Sequence, residues 1–203
     1  MKSLSKLFGS IDRVRILRMF LFNPNSVYSV NDIAKRTDSL PRIVDKEVSL
    51  LQKSGLIRKK PFLKLARNGN DKTRRGSGWV LDKNFAYLKP LESLLIQQSL
   101  IKDQEIIKRF ANVAKLKLLA VAGIFIQDPE SRVDILLVGD HFKKANLDRV
   151  IKSLEADIGK EVRYAAFETP EFKYRISMYD KLVRDIFDYP HKKILNKIGL
   201  VND

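Results

Sequence analysis

The 203-residue sequence has no cysteine and only two histidines, His141 and His191. Disulfides, thiolate metal sites and a cysteine nucleophile are therefore excluded. Two histidines far apart in the chain leave no His-x-x-x-His zinc motif. They also leave little material for a Ser-His-Asp triad. Long hydrophobic runs are missing as well. The longest, residues 118–126, falls well short of the ~18 residues a membrane-spanning helix needs. The opening residues MKSLSKLFGSIDRVR hold no continuous apolar stretch and do not read as a signal peptide. Neither a Gly-x-x-x-x-Gly-Lys-Ser/Thr loop nor a Gly-x-Gly-x-x-Gly turn is present. No internal repeat or long low-complexity segment interrupts the chain. Absence of cysteine fits a reducing compartment. The expectation is a soluble cytoplasmic protein with no cofactor, no metal and no membrane partner.

What the chain has in excess is positive charge. It carries 39 Lys+Arg against 24 Asp+Glu, a net of +15. Apolar residues make up 44% and charged residues 31%, an ordinary globular composition. The charge is unevenly placed. Residues 1–89 hold 20 Lys+Arg against 7 Asp+Glu, a net of +13, and residues 90–203 hold 19 against 17, a net of +2. Between Lys53 and Arg75 lie Arg58, Lys59, Lys60, Lys64, Arg67, Lys72 and Arg74, with Asp71 alone opposing them. Such a cluster points to an anionic partner for the first half.

Hydrophobic spacing organises that half. Leu4, Leu7, Phe8, Ile11, Val14 and Leu17 recur at three- and four-residue steps and predict one helix running to about Phe22. Asn23-Pro24 stops it. Ser29 is a good N-cap for a short second helix with Val30, Ile33 and Ala34 facing inward. Pro41 suits the first turn of a third helix, Val44, Val48 and Leu51 form its apolar stripe, and Gly55 ends it. The opposite face carries Arg42, Asp45, Lys46, Ser49 and Lys53, side chains able to reach phosphates and base edges. Two strand-like stretches follow, joined by the basic, glycine-rich loop 67–78.

The pattern V-x-D-I-A-K-R-T, a break, then V-S-L-L-Q-K-S-G-L-I resembles the helix-turn-helix of ArsR-like winged-helix regulators. The resemblance implies a winged helix-turn-helix over residues 1–88 that binds double-stranded DNA. The third helix would enter the major groove through Arg42, Lys46, Ser49 and Lys53. The wing and its flanks, Lys59, Lys60, Arg67, Lys72, Arg74 and Arg75, would meet phosphates. The wing is longer than that family's usual tight hairpin.

Residues 90–112 read as a connecting helix. From Val113 the pattern changes to two buried strands, 116–126 and 133–138, an amphipathic helix over 146–158 and a third strand over 161–168. A helix capped by Thr169 with Pro170 at its first position, a helix over 181–188 and a last helix around 192–198 complete the reading. The fold class is α+β with two domains, the second (residues 113–203) a small α/β sheet with helices.

V-A-G-I-F followed by S-R-V-D-I-L-L-V-G-D resembles the minimal nucleotidyltransferase domain of the DNA polymerase beta superfamily. That family has Gly-Ser after the first strand and Asp-x-Asp on the second. Here Gly123 is followed by Ile124, and Arg132 stands where the first Asp of the pair with Asp134 would be. Arg163 lies near the place of the family's later carboxylate. Metal-dependent nucleotidyl transfer needs paired carboxylates to hold divalent ions. The resemblance therefore implies a degenerate, non-catalytic domain with Arg132 paired to Asp134, used for sensing or assembly. Its partners would be a nucleotide or other anionic effector, or a second copy in a homodimer. The competing expectation is an active nucleotidyltransferase with metal at Asp134.

Overall fold

A computed structural model describes residues 2–64, 74–96, 101–128 and 130–199. The chain is mixed α+β. Its elements run α1 Lys2–Phe8, α2 Ile11–Phe22, α3 Val30–Thr37, α4 Pro41–Lys53, β1 Ile57–Lys64, β2 Arg74–Leu81, α5 Leu88–Leu95 and α6 Asp103–Phe110. They continue with β3 Lys115–Val121, a 3-10 turn Gly123–Phe125, β4 Ile135–Asp140, α7 Lys144–Ile158, β5 Tyr164–Glu168, α8 Thr169–Ser177, α9 Lys181–Asp188 and β6 Lys192–Asn196. They form two compact units, Met1–Gln98 with Glu155–Lys160, and Ser99–Leu154 with Glu161–Asp203. Among the described residues no helix is long and apolar enough to cross a membrane.

In the first unit, the predicted opening helix is broken in two. Gly9 takes φ +78°, and Ser10 then caps α2 by accepting from Arg13 N at 3.3 Å. α3 starts on a capping box in which Ser29 and Asp32 satisfy each other's backbone amides. Val14, Leu17, Phe20, Ile33, Val44, Val48, Leu51, Ile57 and Leu81 share one buried core. β1 and β2 pair antiparallel with Ile57 opposite Leu81 and Lys64 opposite Arg74. Tyr28 adds a bridge to the far side of β2, its N–H donating to Trp79 O at 2.9 Å and its carbonyl accepting from Trp79 N at 2.8 Å. Arg18 is buried in this unit and donates to the carbonyls of Leu95 (3.0 Å) and Asp157 (2.8 Å). Burial lowers its pKa and the Asp157 charge opposes that shift.

The second unit holds a four-stranded sheet in the order β5-β4-β3-β6. β4 and β5 are parallel, joined by α7, and the other pairs are antiparallel. Leu118, Leu136, Val138, Phe167, Phe172, Val183 and Ile186 pack together in its core. Four expectations are corrected here. The single connecting helix expected over residues 90–112 is two helices, α5 and α6, with Ile101 and Lys102 outside both. The last element is a strand, β6, held by pairing with β3, and not a helix. The stretch after Val121 leaves the sheet as the 3-10 turn. Glu168, not Thr169, is the N-cap of α8, and Thr169 and Pro170 lie in its first turn.

Candidate nucleic-acid interface

α4 is amphipathic with a sharp boundary. Val44, Val48 and Leu51 are buried, while Arg42, Asp45, Lys46, Ser49 and Lys53 are all exposed. Pro41 stands at its start, after an extended Leu40 that offers no side-chain cap. The helix is fixed by a pair that the sequence pattern does not single out. Glu47 is buried (8% exposed) and receives Arg13 through Nε at 2.7 Å and Nη2 at 3.3 Å. Arg13 also donates to Phe8 O at 2.7 Å. A two-pronged Arg–carboxylate contact of this kind fixes orientation as well as position. The acid in α4 is thus neutralised from within the unit, and the exposed face keeps three cations, Arg42, Lys46 and Lys53, beside one acid, Asp45. Leu50, 45% exposed, adds an apolar contact to that surface.

The turn before α4 is tied down by small polar groups. Asp38 closes α3 in the left-handed region at φ 52°. Thr37 Oγ1 donates to Ile33 O at 2.8 Å, and Ser39 Oγ donates to Asp12 Oδ1. The second of these bonds ties the turn to α2.

The hairpin places Lys59 and Lys60 on opposite faces. Lys59 stands opposite Trp79, its ammonium 5.2 Å from the ring centroid. Lys60 alternates to the other face. Arg74 and Arg75 lie on β2 opposite Lys64 and Leu63. Arg67 and Lys72 lie outside the described residues.

In the second unit the nucleotidyltransferase-like positions converge on one carboxylate. Asp134 is fully buried. Its Oδ1 accepts from Ile124 N at 3.0 Å and Arg163 Nη2 at 3.1 Å, and its Oδ2 from Arg163 N at 2.8 Å and Arg163 Nε at 3.1 Å. Asp134 in turn raises the pKa of Arg163 by hydrogen bonding and charge. Gly123, at φ +51°, has no room for a side chain, since a Cβ there would overlap Asp134 Oδ1. The expected Arg132–Asp134 pair is corrected. Arg132 is largely exposed and forms an ion pair with Asp185, Nη1 to Oδ2 at 3.0 Å. β4 begins only at Ile135, so residues 132 and 134 do not share the face of a strand. Among the described residues, no three His, Asp or Glu side chains come together as a metal site.

No family model matches the chain, and no curated protein and no solved structure matches it.

Proposed function

We propose that this chain is a transcriptional regulator whose residues 1–88 form an ArsR-like winged helix-turn-helix that binds duplex DNA. α4 lies in the major groove, and the hairpin of β1 and β2 is the wing, with its basic connection on the phosphates. The observation that carries the reading is the exposed face of α4. Arg42, Lys46, Ser49 and Lys53 stand free of the core with Asp45 the one acid beside them, and Glu47 is buried against Arg13. Leu50 on the same surface suits contact with a thymine methyl. The net +13 of residues 1–89 supplies the sequence-independent attraction.

Residues 113–203 act as a degenerate nucleotidyltransferase-like domain in sensing or assembly. Support comes from Asp134, whose two oxygens already accept four hydrogen bonds. Selection of bound duplexes from a random pool tests the function and names the site. Arg42→Ala with Lys46→Ala should then relax the selected sequence. Arg74→Ala with Arg75→Ala should weaken all duplexes and flatten the salt dependence by about 0.9 for each phosphate no longer neutralised. A wild-type chain that enriches no duplex refutes the reading. Magnesium-dependent transfer from labelled nucleoside triphosphates that vanishes in Asp134→Ala refutes the non-catalytic half.

A further inference from the structure

One short segment of the first unit comes from far along the chain. Glu155–Lys160 belong with residues 1–98, while the residues on either side of that segment, 99–154 and 161–203, form the second unit. The segment is the end of α7 and the turn after it. It is locked onto α2. Asp157, 3% exposed, accepts from Arg15 Nε at 2.8 Å and pairs with Arg15 Nη2 at 2.8 Å. Its carbonyl accepts from the buried Arg18 at 2.8 Å. Asn23, the C-cap of α2, donates through Nδ2 to Gly159 O at 2.9 Å. Gly159, at φ +89°, lies so close to α2 that a Cβ there would meet Met19 N at 2.5 Å and Arg18 C at 2.6 Å. Both are backbone atoms, so only glycine fits.

Arg15 carries this contact further. Its Nη1 donates to Thr37 O at 3.1 Å, and Thr37 is the last residue of α3. Asp38, Ser39 and Leu40 then lead into Pro41, the first residue of α4. One guanidinium thus joins the Asp157 carboxylate to the backbone of the turn before α4. A guanidinium is planar and rigid, so it holds its two acceptors in a fixed relation. Neither Arg15 nor Asp157 lies on the exposed face of α4. After Lys160 the chain returns directly to β5 and reaches Arg163, the residue that holds Asp134.

We propose that Asp157 is a positioning residue for DNA reading: through Arg15 it holds the turn before α4, and the segment 155–160 is the point at which the second half of the chain regulates that helix. The proposal rests on the DNA-binding reading above and names the regulation of the α4 surface. Asp157→Ala in the full chain removes the acceptor and leaves the carbonyl bonded to Arg18 in place. Charge alone predicts that a chain with one acid fewer binds every duplex more tightly. The proposal predicts the opposite sign for one class of duplex. Affinity for the duplex selected from a random pool should fall about tenfold, while affinity for an unrelated duplex stays within about twofold. Arg15→Lys keeps the charge but cannot span both acceptors. It should give the same selective loss, it serves alone if Asp157→Ala does not fold, and the double variant should lose nothing further.

A merely structural role gives a different result. Partial unfolding lowers both affinities in the same ratio, and circular dichroism at the assay temperature measures the folded fraction. The amides of Asp38, Ser39 and Leu40 report the turn itself and should shift in the nuclear magnetic resonance spectra of both folded variants. Equal changes on the two duplexes, or turn amides that do not move, overturn the proposal. If the wild-type chain binds no duplex, the DNA-binding reading fails by itself. Shifted turn amides then still establish the hold of Asp157 on the turn through Arg15, and unshifted ones overturn that as well.

Discussion

Replacing Arg163 by alanine should destabilise the second unit by about 2–3 kcal/mol. Asp134 is buried, and of its four hydrogen bonds two come from the Arg163 guanidinium. The other two come from backbone N–H groups of Ile124 and Arg163, which the substitution leaves in place. Removing one partner of a buried ion pair costs about 3–5 kcal/mol. The Arg163 side chain is 50% exposed, so water reaches one side of this pair and lowers the cost below that range, to about 2–3 kcal/mol. Asp134→Ala has a different origin for its cost. It frees Arg163 to solvent but orphans the two backbone donors, at about 1–3 kcal/mol for a buried unsatisfied group. Once Asp134 is gone, deleting Arg163 removes nothing further. The double variant should therefore match Asp134→Ala, with a coupling energy equal in size to the Arg163→Ala loss, about 2–3 kcal/mol. Urea denaturation followed by circular dichroism gives the three values. Hydrogen exchange at the Ile124 amide reports the site locally. An Arg163→Ala change under about 0.5 kcal/mol, or strict additivity in the double variant, would refute the claim that this pair holds the start of β4 to the start of β5.

Two further outcomes follow from the geometry. Gly78→Ala should destabilise the first unit by about 1–3 kcal/mol through overpacking, because a Cβ there would meet Val27 Cγ1 at 2.7 Å and Tyr28 O at 2.8 Å. Emission from Trp79, the single tryptophan, reports the loss directly, since its backbone bridges to Tyr28. The Asp140 carboxylate is drawn down to about 2 from its ordinary 3.8, first by its hydrogen bond from Lys117. A lowered acid contributes stability that is fully present above its unfolded pKa and lost as pH falls through the folded one. Stability should therefore decline between about pH 4 and pH 2, and Lys117→Met should flatten that limb in a pH series of thermal melts.

Sequence patterns are legible where the structure obeys local rules. The apolar spacing of Val44, Val48 and Leu51 marks the buried side of α4 and leaves Arg42, Lys46, Ser49 and Lys53 outside. Leu147, Ile151, Leu154 and Ile158 do the same for α7. The break at Gly9-Ser10 is also local, a left-handed glycine followed by a capping serine, but the periodic apolar residues on either side mask it. β6 is different in kind. Five residues, KKILN, carry too little pattern to choose between helix and strand, and pairing with β3 decides the matter.

The Arg163–Asp134 pair shows why sequence spacing points to the wrong arginine in the second unit. Arg132 is two residues from Asp134, and nearness in sequence makes it the natural partner. The partner is instead set by topology. β5 runs parallel to β4 with Tyr164 in register with Ile135. That register brings the residue before one strand against the residue before the other. Asp134 N donates to Arg163 O at 2.6 Å, and Arg163 N returns a bond to Asp134 Oδ2 at 2.8 Å. A parallel pair of this kind needs a crossover, here α7, and nothing in the local pattern around Asp134 states which residue the crossover will deliver. The same distinction applies to Lys59 and Lys60. As neighbours in sequence they belong to one basic run, but as neighbours on a strand they serve opposite faces, Lys59 over Trp79 and Lys60 on the other side of the sheet. Charge counted along the chain locates a basic module, and strand register decides which surface each cation serves.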